Sequence, residues 1–139
     1  MFGPYLCNKA SRHDADIYAA VKLWCPDQVA AENKYGHISK WDISQVTQMA
    51  NLFRDQTSFN DDIGQCDACK VRGMDCMFSG YKAFDQEIES RDVPEVAVMR
   101  GIFMRCAKVN RYIGDWDVRK VEDMEVMFLG AITFNQEIN

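Results

Sequence analysis

Apolar side chains recur every 25 residues along most of this chain, and no gap is needed to align the repeats. Four of the apolar columns hold a single residue type each. These are Phe53, Phe78, Phe103 and Phe128; Met49, Met74, Met99 and Met124; Val46, Val71, Val96 and Val121; and Ile38, Ile63, Ile88, Ile113 and Ile138. A fixed period of this length is typical of proteins whose units bury their apolar faces against one another. We therefore expect residues 36–139 to form four 25-residue repeats, stacked into one solenoid.

Within one repeat, the apolar spacing changes from that of a strand to that of a helix. Trp41 and Ile43 alternate as in a strand that buries one face, and Ile38 precedes them at a bend. The apolar residues of 46–53 then follow a helical stripe over two turns. Each repeat is thus predicted to be a short strand, a short helix and a loop. The predicted fold class is an α/β repeat solenoid with leucine-rich-repeat-like coils.

Residues 1–35 precede the repeats and are predicted to form an N-terminal helical cap that is continuous with the solenoid. A capping-box-like pair, Ser11 and Asp14, precedes a first amphipathic helix. The apolar stripe of that helix is Ile17, Ala20, Val21 and Trp24. A second helix over 27–34 is predicted to end at Gly36. Such a cap would cover the apolar edge of the first repeat.

Two stretches of the chain carry a resemblance to a known family. The first is Tyr-Gly-His-Ile-Ser-Lys-Trp-Asp-Ile-Ser-Gln-Val-Thr-Gln-Met at 35–49, and the second is the related run at 116–138. Both resemble the BspA-like surface-protein repeat, a domain of unknown function found in bacterial surface lipoproteins and in many algal and protist proteins. The middle repeats depart from the pattern, with Cys66 and Arg91 in the tryptophan column. The resemblance implies a solenoid used for contacts and implies no catalytic residue.

The composition is that of an ordinary soluble globular chain, with 47% hydrophobic and 27% charged residues. The net charge is −5, and all of it lies in residues 36–139 because residues 1–35 are neutral. An acidic array argues against a nucleic-acid partner. The longest uninterrupted apolar run, 17–21, is too short to predict a membrane-spanning helix.

The sequence contains no pattern that indicates catalysis or a cofactor. Neither of the two histidines, His13 and His37, has a nucleophile or a carboxylate at a recognisable spacing, and no glycine-rich phosphate loop is present. We therefore predict a non-enzymatic solenoid that binds protein, as a scaffold or as an accessory subunit of a larger assembly, for example an organellar or photosynthetic one. The alternative, implied by the resemblance, is a structural or adhesive surface module.

A partner-binding face is predicted on the third and fourth repeats. If the stretch after each strand is helical, polar positions of the first repeat become apolar later in the array. The predicted docking face is Val98, Gly101, Met104, Val126 and Leu129. Gly101 would let a partner approach the backbone closely. Because nothing resembling a cap follows Ile138, we also expect the natural chain to continue or a partner to cover this end.

The six cysteines raise a third hypothesis, a metal or redox site at Cys66, Cys69 and Cys76. The repeat register opposes it, because Cys66 and Cys69 lie about 10 Å apart if the strand is extended, beyond the reach of a disulfide. Reduced structural thiols are the favoured interpretation. They predict a reducing compartment, inside a cell or an organelle.

A column of aspartates recurs on the outward face of the predicted strands. Its members are Asp42, Asp67, Asp92 and Asp117. Stacked like charges repel, so this acidic stripe could bind a cation or a basic partner. The favoured alternative is that each aspartate caps the turn that begins two residues later.

Overall fold

The computed structural model describes residues 11–56, 59–61, 70–86 and 94–138. Its regular elements lie at the N-terminal end of the chain. They are β1 (Ser11–His13), α1 (Ile17–Trp24), α2 (Gln28–Tyr35), a 3₁₀ turn (Ile38–Lys40) and β2 (Asp42–Gln45). β1 and β2 pair in parallel, with Ser11 opposite Asp42 and His13 opposite Gln45. The cap segment and the first repeat therefore share one small sheet.

The two predicted helices of the cap segment are confirmed. α1 buries the four residues of its apolar stripe, as the helical spacing predicts. The side chain of Asp27 accepts a hydrogen bond from the Ala30 N–H (3.0 Å), which starts α2. Gly36 follows α2 at φ 76°, a left-handed conformation that favours glycine at a helix end.

The residues predicted as the start of α1 have another role. Ser11 belongs to β1, and Asp14 points away from the helix toward the first repeat. Its carboxylate accepts hydrogen bonds from the Thr47 N–H (2.7 Å), the Gln48 N–H (3.2 Å) and the Thr47 hydroxyl. The Asp14 side chain therefore fixes the cap segment to backbone groups of the repeat, where the capping-box interpretation placed it on its own helix.

The stretch after β2 is not helical, although its apolar spacing predicts a helix. Residues 50–55 form turns, and the equivalent stretches 75–80, 100–105 and 125–130 do the same. In the first of them, the N–H groups of Leu52, Arg54 and Gln56 each donate to the carbonyl three residues earlier. The N–H groups between them donate elsewhere. We call the segments 49–56, 74–81, 99–106 and 124–131 the turn segments.

The intervening N–H groups of the first three turn segments donate to carbonyl oxygens of the next turn segment and of the residue just before it. From the second to the third, the donors Met74, Cys76, Phe78 and Gly80 bond to Val98, Arg100, Ile102 and Met104 at 2.8–3.1 Å. The other two junctions repeat this pattern with the same 25-residue step. Isolated parallel bridges join the residues just before these segments, at Gln48–Gly73, Gly73–Val98 and Val98–Asp123. The bonds beside these bridges run the other way, with the N–H groups of Arg72, Ala97 and Glu122 donating to the earlier repeat.

This alternation requires left-handed backbone at two columns of each turn segment. The residues with positive φ are Asn51, Cys76, Gly101 and Val126 in one column and Asp55, Gly80, Arg105 and Gly130 in the other. A right-handed helix would aim every N–H at the carbonyl four residues earlier. The left-handed residues turn alternate N–H groups outward instead, so that they reach the neighbouring segment.

A continuous row of phenylalanines fills the core beneath the turn segments. The rings of Phe53, Phe78, Phe103 and Phe128 lie 5.8–5.9 Å apart between neighbours, with interplanar angles of 3–20°. The first three are fully buried, whereas Phe128 is half-buried. Trp41 and Trp116 are also buried, as expected from their column. Stacked rings add a geometric preference to the burial of apolar area.

We expect Phe103→Ala and Phe128→Ala to destabilise the protein unequally, although they remove the same ring. Phe103 is enclosed on both sides, so its loss should lower the free energy of unfolding by about 3–5 kcal/mol. Phe128 stacks on Phe103 and on Phe134 but is only half-buried, so its loss should lower the free energy of unfolding by about 1–2 kcal/mol. Urea unfolding followed by far-ultraviolet circular dichroism measures both. Equal losses would show that the rings do not form a graded stack.

The contacts of Asp14 predict a pH-dependent contribution to stability. The hydrogen bonds from Thr47 and Gln48 lower the pKa of Asp14 in the folded protein. The contribution is therefore present above the ordinary carboxyl pKa, about 3.9, and is lost as the pH falls through the lowered value. We expect Asp14→Asn to lower the free energy of unfolding by about 1 kcal/mol at pH 7, with the gap from wild type closing below about pH 4.

Denaturant unfolding at pH 7 and at pH 3 tests this expectation. Glu32→Gln is the matched control, because Glu32 is an exposed carboxylate on α2 in the same part of the chain. A difference between wild type and Asp14→Asn that is as large at pH 3 as at pH 7 would contradict the assignment.

Candidate functional site: the face and edge of the fourth repeat

The five residues of the predicted docking face are exposed to different degrees. Val126 and Leu129 have 38% and 57% of their surface exposed. Val98 and Met104 are half-buried, and Gly101 is buried. The accessible part of the predicted face therefore lies on the fourth repeat.

Three members of the predicted face lie close together: Gly101, Met104 and Val126. A Cβ atom placed on Gly101 would lie 3.6 Å from the Met104 Cβ, 3.8 Å from the Val126 Cγ2 and 3.3 Å from the Cys76 Sγ. These neighbours cover the glycine backbone, so the structure gives no open approach to it. The φ of 58° at Gly101 gives the glycine a different role, since it lies in a left-handed column of the turn segments.

Beyond the predicted face, the fourth repeat exposes further apolar side chains. The exposed large apolar residues from 118 onward are Val118, Met124, Val126, Leu129, Ile132 and Ile138. Met124 is 42% exposed, whereas Met49, Met74 and Met99 of its column are buried. Ile138 is exposed in the same way, although Ile38 and Ile113 of its column are buried. No described residue packs on the far side of this repeat, so core columns reach the surface there.

The exposed core columns border an apolar pocket. The residues that line it are Ile113, Gly114, Trp116, Val118, Met124, Met127, Phe128 and Ile138. Trp116 is buried and tilts against the Phe103 ring at 5.9 Å. The pocket is therefore the open end of the core, and its lining is aliphatic and aromatic.

The backbone of the same edge presents hydrogen-bond donors. In every earlier turn segment, four N–H groups donate to the next segment. The equivalent N–H groups of the fourth segment are those of Met124, Val126, Phe128 and Gly130, and within the described residues none of them has an acceptor. We call these four groups, with the apolar pocket beside them, the donor edge.

The first repeat presents the opposite polarity at its outer side, and the cap segment covers it. The carbonyl of Ala50, which has the position of the acceptor carbonyls in later repeats, accepts a hydrogen bond from the Tyr18 hydroxyl of α1 (2.9 Å). Asp14 takes the nearby N–H groups of Thr47 and Gln48. The two ends of the array therefore differ chemically: one carries acceptors under a cap, and the other carries exposed donors.

The described members of the aspartate column have the local contacts of turn caps. Asp42 accepts a hydrogen bond from the Ser44 N–H (3.0 Å), and Asp117 accepts one from the Arg119 N–H (3.2 Å). Hydrogen bonds from the Arg119 side chain, followed by its N–H, lower the pKa of Asp117 to about 2. Both contacts agree with capping two residues ahead. Asp67 and Asp92 lie outside the described residues, so the acidic stripe stays a prediction.

The proposed cysteine site falls mostly outside the described residues, since Cys66 and Cys69 are not among them; Cys76 is half-buried and free. Of the other described thiols, burial raises the pKa of Cys25 to about 11 and that of Cys106 to about 12. The Cys106 thiol also donates to the Phe78 carbonyl at 2.8 Å. At neutral pH these two thiols are protonated, and they pack as small core residues.

The described residues contain neither a metal-binding cluster nor a helix that could cross a membrane. No three or more His, Cys, Asp or Glu side chains are grouped so as to hold a metal ion in that part of the chain. No helix among those residues has the length and hydropathy that crossing a membrane requires.

Three features of the fourth repeat and of the contact between the cap segment and the first repeat were not predicted from the sequence. The donor edge depends on left-handed backbone at residues such as Val126, and a valine gives no signal for that conformation. The contacts of Asp14 and Tyr18 join the cap segment to the first repeat over more than 30 residues. Ile132 is 82% exposed, and no other repeat has an apolar residue of similar size at the equivalent position. The alignment of the four repeats therefore does contain a signal for this exposed residue.

Comparison with known proteins gives one family match. No curated protein and no solved structure matches the chain. Residues 27–139, which include α2 and all four repeats, match the family described as Mycoplasma protein of unknown function, DUF285. Because the match covers well over half of the chain, this protein belongs to that family.

Proposed function

We propose that this chain is a non-enzymatic, BspA-like repeat protein whose four 25-residue units form one solenoid that binds other proteins. The stacking is supported by the hydrogen bonds and phenylalanine contacts that recur between successive repeats with the same step. The binding function is supported by one observation above all. Val126 and Leu129 expose apolar surface on the fourth repeat, and Val126 lies with Met104 of the third repeat around Gly101.

This surface has the organisation of a protein-binding patch. Isolated apolar residues are common on protein surfaces, but contiguous ones with a charged rim mark interaction sites. The ion pair between Arg100 and Glu125 (3.0 Å) lies across the same two repeats, with both side chains more than half exposed. Exposed Arg105 adds a further charge beside the apolar residues. A polar rim around an apolar centre is the usual arrangement of such interfaces.

A scaffold or accessory subunit and an adhesive surface module both fit this geometry. Membership in the family favours the surface module, since the BspA-like repeat that the sequence resembles occurs in surface proteins. The exposed apolar patch favours a protein partner, since contiguous apolar surface bordered by charged residues is typical of protein-binding sites. We therefore propose protein binding as the function, and a scaffold or accessory subunit as the favoured role.

We expect the double variant Met104→Asp with Leu129→Asp to lose partner binding and keep its fold. Two carboxylates on the patch would have to be desolvated on binding, at a cost of several kcal/mol, which corresponds to a loss of more than about 100-fold in affinity. Affinity purification from the native source, with quantitative mass spectrometry, compares the variant with wild type. Far-ultraviolet circular dichroism checks the fold.

The matched control is Arg54→Asp, which changes the net charge by the same two units at the equivalent column of the first repeat. It should leave the set of captured proteins unchanged. Unchanged capture by the double variant would exclude the patch as the interface. Equal loss in both variants would assign the effect to net charge.

A further inference from the structure

We propose that the donor edge of the fourth repeat is a directional docking site for a further repeat segment of the same kind, one whose outer carbonyl row is not covered by a cap. This surface shares Val126 with the patch around Met104 and Leu129 but uses its backbone N–H group, and the proposal does not depend on that patch. It rests on the polarity of backbone hydrogen bonding between repeats.

The bonds between turn segments run in the same direction at every junction, whereas the bonds of the bridge residues just before them run the other way, as from the Glu122 N–H to the Ala97 carbonyl. From the third to the fourth repeat, Met99, Gly101, Phe103 and Arg105 donate to Asp123, Glu125, Met127 and Leu129 at 2.7–3.1 Å. Every turn segment thus receives bonds at its carbonyl groups and donates with its N–H groups. The carbonyl groups of the fourth segment accept hydrogen bonds from the third segment, and its own four N–H donors have no acceptor among the described residues.

These donors are held in the geometry that their counterparts use. The internal turn bonds of the fourth segment are intact: Met127, Leu129 and Ala131 donate to the carbonyls three residues earlier. The left-handed residues Val126 and Gly130 have φ of 52° and 75°, within the range of the other repeats. The edge is therefore preorganised, and a partner would not have to reshape it.

The polarity excludes a second copy of the described chain as the occupant. Two copies placed edge to edge would set the four N–H donors of one copy against the four of the other, with only the Glu122 carbonyl, the counterpart of the Ala97 carbonyl, as an acceptor on each side. A head-to-tail arrangement would need the carbonyl row of the first repeat, and α1 occupies that side through the Tyr18–Ala50 hydrogen bond. What remains is a segment that offers free carbonyl groups at alternate residues, as an uncapped turn segment does.

The apolar part of the edge fits the same occupant. Met124 and Phe128 are exposed or half-buried where Met99 and Phe103 are fully buried by the following repeat. A repeat segment of this family would bring its own methionine and phenylalanine to these positions. An extended peptide of unrelated sequence would offer carbonyl groups without the matching aromatic ring.

The test uses the whole chain with a copy of residues 115–139 joined directly after Asn139, which keeps the 25-residue register. Hydrogen exchange is measured by nuclear magnetic resonance for the amides of Met124, Val126, Phe128 and Gly130 in this extended chain and in the 139-residue chain. We expect at least tenfold slower exchange at all four amides in the extended chain, on the scale of protection that stable hydrogen bonds give. A flexible glycine–serine extension of equal length is the control and should change none of them.

Oxidation of Met124 by dilute peroxide gives an independent readout. Its rate should fall when the repeat copy is present and stay constant with the glycine–serine extension. Unchanged exchange and unchanged oxidation in a monomeric extended chain would overturn the proposal. So would a dimer of the 139-residue chain in which the same four amides become protected, because the polarity argument forbids it.

Discussion

The hydrogen bonds that each turn segment donates to the next are the interaction on which this structure depends. In the described residues 46–56, 70–86 and 94–138 there is no helix and no extended strand other than the isolated bridges, so local structure alone does not hold these segments. Four N–H groups per junction bond to the neighbouring carbonyl groups, and the same step brings the phenylalanine rings within 5.9 Å of each other. The backbone hydrogen bonds and the stacked phenylalanine rings therefore follow the same alignment of successive repeats.

Because those bonds all run in one direction, the two ends of the array are chemically different. The outer side of the first repeat offers carbonyl groups, and the cap segment satisfies part of it through the Tyr18 hydroxyl while Asp14 binds the N–H groups alongside. The fourth repeat offers donors and exposed core side chains. Exposed apolar side chains are thus concentrated on the fourth repeat, where residues of the core columns and of the outer face come together.

The sequence predicted the columns of the core correctly and the backbone that carries them incorrectly. Phe53, Phe78 and Phe103 are buried as their spacing indicates, and α1 and α2 lie where their stripe and caps place them. The helix predicted over 46–53 is absent, because bonds to the carbonyl three residues earlier produce the same apolar spacing as a helical turn. Left-handed residues such as Cys76 and Val126 are not glycines, so the sequence carries no mark of the alternation. The predicted docking face shares this error, which explains why Gly101 is buried while Val126 and Leu129 are exposed.

Scalar couplings across hydrogen bonds, measured by nuclear magnetic resonance on isotope-labelled protein, test the central claim most directly. The account predicts couplings from the amide nitrogens of Cys76, Phe78 and Gly80 to the carbonyl carbons of Arg100, Ile102 and Met104, each 24 residues later in the chain. Couplings from these nitrogens to carbonyl carbons four residues earlier would show a helix in place of the inter-repeat bonds, and they would contradict it.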